Sequence, residues 1–388
     1  MVQAICHQGQ RYITWRDRFD DVLLHPVLGY FALVCIMLLF FQLVYGFGRL
    51  IEGPLLPFLD NITSSVTNAI GTQTLVSQIV IGLLQGITGG VAIVFPYLVP
   101  FLVGMGVLED IGYLPRVAFL MDALMHRLGL HGKAIVPFIL GYGCNVPAVM
   151  STRILEEKRD RYLAAALATL VPCAARLAVV FGLVAFYLGP VLALLIYLFN
   201  LFVIAVTGKV LSQTLPDVSP GLILEMPVYR TPTLRTVFQK AWFRVREFII
   251  EAWPVLIVGS IVLALATYLN LTPYVNLLTT PVTWALGLPD QVGVPLIFGI
   301  LRKELSLIML AQALGSANFA TVLTPIQMIT FSVFVVFYIP CLATLSVLRR
   351  ELGTRAMYSI AGITVIIAMA SALIARIIAL VANSVHIL

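Results

Sequence analysis

The sequence predicts an all-α polytopic membrane protein made of inverted repeats, with two re-entrant hairpins and about seven to eight spanning helices. Composition is the first observation behind this. The 388 residues are 60% hydrophobic and 11% charged, with mean hydropathy +1.01, whereas soluble domains carry roughly 25% charged residues. Second, several apolar runs reach the roughly 20 residues that cross a bilayer as helix. Third, the chain echoes itself. Gly129, Pro137 and Gly141 recur as Gly287, Pro295 and Gly299, and Phe95-Pro96 recurs as Trp253-Pro254, all 158 positions apart. Val171-Pro172-Cys173 returns as Ile339-Pro340-Cys341, 168 positions later. Gly/Pro-broken apolar segments at matching places in two halves point to a transporter's substrate site.

The elements follow in order. Residues 1–26 are polar, lack a cleavable signal peptide and form a cytoplasmic N-terminal segment, because Arg11, Arg16 and Arg18 lie there and basic residues stay inside. Residues 27–77 give the first span, Val27 to Gly48, and an external loop free of Lys and Arg from Pro54 to Ser77. Residues 78–212 form the first repeat, with spans at Gln78 to Leu108, Tyr162 to Leu188 and Val191 to Leu211. Residues 213–247 are a basic cytoplasmic loop ending in an amphipathic surface helix. Residues 248–388 hold the second repeat and the C-terminal span, with apolar runs at Phe248 to Leu269, Pro325 to Leu348 and Ala356 to Val381.

Two shorter runs, Ala134 to Met150 and Gly293 to Leu310, resist full crossing. Both flanks of the first carry basic residues, whereas Asn270 to Val292 and Gln312 to Leu323 carry none. Re-entrant hairpins entering from opposite faces satisfy that bias. Irregular backbone at membrane depth survives only when buried in protein or lining a wet cavity, so the hairpin tips imply a pathway.

Chemistry concentrates at these breaks. Gly141-Tyr142-Gly143-Cys144-Asn145-Val146-Pro147 offers a sulfur and an amide oxygen on broken backbone, or serves as a tight packing turn. Soft sulfur ligands favour transition metals over Mg²⁺ or Ca²⁺. Arg302-Lys303-Glu304 stands at the equivalent place in the second half; Glu304 either pairs with its neighbours or faces the pathway. Pro172 and Pro340, beside Cys173 and Cys341, unpair carbonyls one turn earlier. Arg176 needs a partner, with Glu109, Asp110 and Asp122 the candidates. Glu109 and Asp110 either attract cations at the inner mouth or favour the helix start after Pro115. The five cysteines, Cys6 and Cys35 included, are an odd number, mostly in or beside apolar segments, which is no disulfide framework. The net charge of +6 reads as loop bias and not as a nucleic-acid footprint. Gly129-Leu130-His131-Gly132-Lys133-Ala134 lacks phosphate-loop spacing, and no HExxH, GxSxG or CxxC occurs. The reading is therefore a non-enzyme with no nucleotide site and no permanently bound cofactor.

Leu108 to Asp122 (LEDxGYxxRxAFxxD), Gly141 to Arg153 (GxGCNVPAxxxxR), Pro172 to Arg176 (PCxAR), Glu225 to Pro232, Tyr338 to Leu345 (YxPCxATL) and Arg349 to Gly353 together resemble the membrane portion of the FeoB ferrous iron transporter family. The resemblance implies inner (plasma) membrane uptake of Fe²⁺ through paired "Gate" repeats similar to those of nucleoside transporters. It carries the family's iron-path cysteines onto Cys144, Cys173 and Cys341, with Asn145 and Glu304 as further metal-binding candidates. Gly143, Pro147, Pro172, Pro340, Glu109, Asp110, Arg176 and Lys303 would shape or gate the pathway. Family members usually carry a GTP-binding domain before the first span, where this chain has about twenty-five residues. A separate GTPase subunit, a small accessory protein and further copies of the chain are thus candidate partners, beside the bilayer and Fe²⁺. Two alternatives stay open: a nucleoside-like small-solute transporter and a membrane scaffold for a separate GTPase.

Overall fold

The computed structural model describes residues 20–384, apart from 72–73, 215–228, 230, 270, 302, 304–305 and 316–317. Cys6, Arg302 and Glu304, and most of the Glu225 to Pro232 motif, lie outside the described residues. Among the described residues every regular element is helical, and seven helices are long and apolar enough to cross a bilayer, or eight if a bent pair counts as one span.

Helix α1 covers Leu28–Ile70. The sequence suggests that it ends near Gly48, yet it continues through Pro54 and Pro57. Each proline removes one ladder hydrogen bond, and along this mostly exposed stretch no neighbouring element forces the break. A capping box between Thr74 and Ser77 starts α2, Leu75–Ile93. A π-helical turn, Val94–Leu98, joins it to α3, Val99–Ile111. Then come α4, Tyr113–Arg127; a 3-10 turn, Gly132–Ala134; and the half-length pair α5, Ile135–Gly143, and α6, Asn145–Ser151. The broken third span is α7, Lys158–Leu170, and α8, Ala174–Val179, followed by a π turn at Val180–Ala185 and α9, Pro190–Thr214.

The second half repeats this order: α10, Leu234–Glu251; α11, Trp253–Tyr268; α12, Thr272–Leu286; a 3-10 turn, Asp290–Val292; α13, Gly293–Leu301; and α14, Ser306–Leu314. It closes with α15, Pro325–Phe337; α16, Leu342–Leu352; and α17, Thr354–Ser384. Gly132–Ala134 and α5 map onto Asp290–Val292 and α13 residue for residue at the 158-position offset. The packing is crosswise: α2 lies along α11, and α3 lies along α10. By the same offset α2 corresponds to α10 and α3 to α11, so each half embraces the other as two copies in a symmetric dimer would.

The halves of each broken run are short. At 1.5 Å per residue, α5 and α6 reach roughly 14 and 11 Å, less than half of a hydrocarbon core. The α12–α13 junction turns by 117°, at Gly287, whose φ is +66°. Packing is densest between the breaks. Val149, Leu163, Leu167, Leu183 and Phe337 are wholly or almost wholly buried, so the broken backbone is held in protein and away from lipid.

Candidate functional site

Three cysteines mark three helix starts. Cys144 separates α5 from α6 in extended backbone, φ −153° and ψ 133°. Cys173 precedes α8 at φ −69° and ψ 169°, and Cys341 precedes α16 at φ −60° and ψ 156°. Each is the residue at which a chain stops running straight and re-enters a helix, so its side chain leaves the backbone where no helical turn covers it. The fold places Cys144 within electrostatic reach of both Cys341 and Cys173. They do not form a closed cage. Among the described residues no three His, Cys, Asp or Glu side chains converge as a metal-holding group. All three thiols are half-buried and unbridged.

Breaking a helix strands carbonyls, and buried carbonyls need donors. At the first break, side chains supply them. Arg176 donates to the Thr169 oxygen at 2.6 Å and to the Val171 oxygen at 3.4 Å. Asn145 Nδ2 donates to Thr169 at 3.3 Å, and Asn200 Nδ2 to Leu170 at 3.1 Å. Arg176 also reaches across to the second break, donating to the Tyr338 oxygen at 2.8 Å. One guanidinium therefore clamps both Pro-Cys breaks, and it is fully buried. This corrects the sequence reading, which sought an acidic partner. Glu109 and Asp110 are taken instead by α10: Lys240 lies 3.1 and 2.5 Å from them, and Arg244 lies 2.8 Å from Glu109. Asp122 bonds the Gly132 amide at 2.7 Å. Stranded carbonyls leave no mark in a sequence that would nominate them as a guanidinium's partners.

Asn145 is 5% exposed and its Oδ1 has no hydrogen-bond partner. Lys303 is 4% exposed; its ammonium sits 4.4 Å above the Tyr338 ring, also without a hydrogen-bond partner. It is within electrostatic reach of Arg176, Cys173 and Cys341. Gly143 is fixed by close approach, since a Cβ there would lie 2.6 Å from the Phe101 ring of α3. Pro147 falls in the first turn of α6, where its missing N–H costs no helical bond. Pro172 and Pro340 occupy the extended breaks themselves.

Several residues were missed by the sequence reading. Tyr338 stands two residues before Pro340, inside a quoted motif, and carries the clamp's far end. Tyr45 on α1 is within electrostatic reach of Cys173, and no local pattern signals it. Outside the spans, Asp20 accepts from Arg116 at 2.6 Å and from Tyr229 at 2.6 Å, while Arg116 stacks 3.6 Å over the Tyr229 ring. The Asp20 hydrogen bond raises Arg116 above the ordinary guanidinium range, and burial with that same partner pushes the Tyr229 phenol up to about 12. The first hairpin is tied down by Arg153, which reaches Glu247 at 2.9 Å and Glu351 at 2.8 Å.

The chain matches a family model described as nucleoside recognition, the Gate model, over residues 91–187 and 249–355. A second, the C terminus of ferrous iron transport protein B, matches residues 193–244. It is 27% identical over 383 residues to the Fe(2+) transporter FeoB of Methanocaldococcus jannaschii, covering 91% of this chain and 57% of that protein. It is 31% identical over 371 residues to the Fe(2+) transporter FeoB of a Synechocystis species, covering 87% of this chain and 59% of the relative. It is 30% identical over 259 residues to a Fe(2+) transport protein A/Fe(2+) transporter FeoB fusion protein of Porphyromonas gingivalis, covering 66% of this chain and 31% of that one. The chain thus spans little more than half the length of the curated FeoB transporters it matches. No solved structure matches it.

Proposed function

The chain belongs to the FeoB family, as its membrane portion, and from that premise we propose that it carries Fe²⁺, or a similar divalent transition metal, across the inner membrane between its two repeats. The observation that carries this reading is the meeting of Cys144, Cys173 and Cys341 at three helix starts, inside protein, without a closed metal cage. Transport needs ligands that bind and let go. Half-buried thiols suit a borderline-soft cation, and an arrangement looser than a four-ligand structural site releases it.

In this mechanism the ion loses hydration water where backbone and side chains replace it. Cys144 and the free Asn145 Oδ1 lie on the first hairpin's tip, and Cys173 and Cys341 at the opposed breaks. Arg176 holds the Thr169 and Tyr338 carbonyls away from the ion and fixes the spacing of the breaks. Lys303 is buried against the Tyr338 ring and within electrostatic reach of Arg176, so in its protonated form it would repel a passing cation unless thiolates offset it. That combination favours brief occupancy. Glu304 joins the proposal as a further oxygen ligand, from the sequence position next to Lys303.

Single Cys→Ser replacements, assayed as Fe²⁺ uptake into proteoliposomes, test the reading. Uptake should fall severalfold in each variant; unchanged uptake in all three would remove the thiols from the mechanism. A second reading, small-solute transport, is favoured by the nucleoside-recognition description of the Gate model. Under it, nucleosides and not Fe²⁺ would raise the purified protein's thermal midpoint. The fusion relative from Porphyromonas gingivalis supports a small accessory protein as partner, to be tested by co-purification. The proposal also covers a GTPase acting on this chain, self-association, and a cytoplasmic N-terminus.

A further inference from the structure

Glu52 is an ionisable residue that the pathway described above does not use. It lies four residues past the apolar run Val27 to Gly48, on the continuation of helix α1. Its hydrogen-bond partner is the Tyr97 hydroxyl, which donates to it. Tyr97 belongs to the π turn Val94–Leu98, and such turns recur at functional sites because the wider coil redirects side chains. The Tyr97 ring lies flat against α1 only because residue 48 is glycine: a Cβ there would come within 2.5 Å of ring carbon Cε1. Helix α1 is thus notched to seat this ring, with the hydroxyl delivered one turn further on to Glu52.

The notch leads inward. Tyr45, Gly48 and Glu52 stand at i, i+3 and i+7 and share one face of α1. The Tyr45 and Tyr97 rings pack with centroids 5.9 Å apart, and Tyr45 is within electrostatic reach of the Cys173 thiol. Phe41, one turn earlier, packs against both Tyr45 and Tyr142, and Tyr142 is two residues from Cys144. One stripe of α1 therefore carries the Glu52 carboxylate at one end and, about two turns away, the Tyr45 hydroxyl that is within electrostatic reach of Cys173. Glu52 and Tyr97 both stay partly accessible. A carboxylate offers about four acceptor sites and Tyr97 takes one, which leaves ligand capacity. Arg49, exposed at i+4 from Tyr45 and i−3 from Glu52, borders the same face and acts electrostatically on Tyr97, which keeps the site's net attraction weak.

We propose that Glu52, with the Tyr97 hydroxyl, forms a hard-oxygen staging site where a hydrated divalent cation pauses before reaching the thiols. The proposal rests on the transport reading and adds to it a second site of different chemistry at the end of the stripe remote from the cysteines. Fe²⁺ uptake into proteoliposomes, measured over a concentration series for wild type, Glu52→Gln, Glu52→Asp and Tyr97→Phe, tests it. Glu52→Gln should raise the half-saturating concentration about tenfold, the scale of one lost charge-assisted contact, with its plateau retained. Tyr97→Phe should give a smaller rise, and Glu52→Asp should stay near wild type. Unchanged half-saturation in Glu52→Gln, or a fall in plateau alone, overturns the site, because misfolding lowers the number of working molecules without shifting their affinity. If the wild-type protein passes no metal, the transport reading fails first and this one with it.

Discussion

The two halves copy each other's backbone and diverge at the charges. At the first Pro-Cys break the residue three past the cysteine is Arg176; at the second it is Thr344. On the hairpins the divergence is reversed, with neutral Asn145 in the first half and Lys303 at the matching position of the second. Around the breaks each half therefore buries a basic side chain, Arg176 or Lys303, taken from a different element. The two differ in kind as well. Arg176 is bound to three carbonyls on both sides of the pseudo-symmetric centre, while Lys303 makes no hydrogen bond. Duplication fixes where helices break. Which break is clamped and which charge stays uncommitted is set by single residues, and that asymmetry gives a two-fold scaffold two distinguishable sides.

The strongest way to break this contrast is to remove the clamp. Arg176→Met should destabilise the protein by at least about 3 kcal/mol, since it leaves buried carbonyls without charged donors and each orphan costs roughly 1–3 kcal/mol. Thermal unfolding of the purified protein in detergent reads this. Arg176→Lys should recover only part, because an ammonium lacks the planar fork that serves two breaks at once. Arg176→Met within about 1 kcal/mol of wild type would mean that the carbonyls find other donors and that the clamp is incidental.

Lys303 should behave in the opposite sense. A buried ammonium held only by an aromatic face has lost most of its hydration, and apolar replacements of buried charges are often neutral or stabilising by about 1–4 kcal/mol. Lys303→Met should therefore raise the unfolding midpoint, a gain of about 1–2 kcal/mol. A loss of similar size would show that Lys303 is a structural tie like Arg176, and the proposed division of labour would collapse.

How far this arrangement is legible in the sequence depends on what carries the information. The 158-position echo is visible in Gly129/Gly287 and Pro137/Pro295, and it anticipates two matched 3-10 turns and half-helices to the residue. Pro172 and Pro340 announce the breaks because proline acts locally. Partners set by tertiary packing stay hidden. The acceptors of Arg176 are backbone oxygens, which every residue has, so acidic neighbours in the sequence are a false lead. The pairing of Glu52 with Tyr97 needs α1 to meet a π turn 45 residues away, and the only local clue is Gly48. Pro54 and Pro57 mislead for the reverse reason: proline lowers the odds of helix without forbidding it where nothing else competes.

The smallest effect is the sharpest control on the comparison. Thr344 occupies the Arg176 position of the second half and is fully buried, and its Oγ1 lies 3.2 Å from Cys341 Sγ. Sulfur is a weak hydrogen-bond partner, and Thr344→Val preserves the branched shape while deleting the hydroxyl. The cost should be about 0.5–1 kcal/mol, well below that of Arg176→Met at the matching site. Deleting the hydroxyl also releases this polar contact on the Cys341 thiol, so maleimide should modify Cys341 faster in this variant than in wild type, with Cys173 labelled at an unchanged rate. Equal losses of stability at the two matching positions would mean that the break itself, and not the residue beyond it, decides how tightly each half is held.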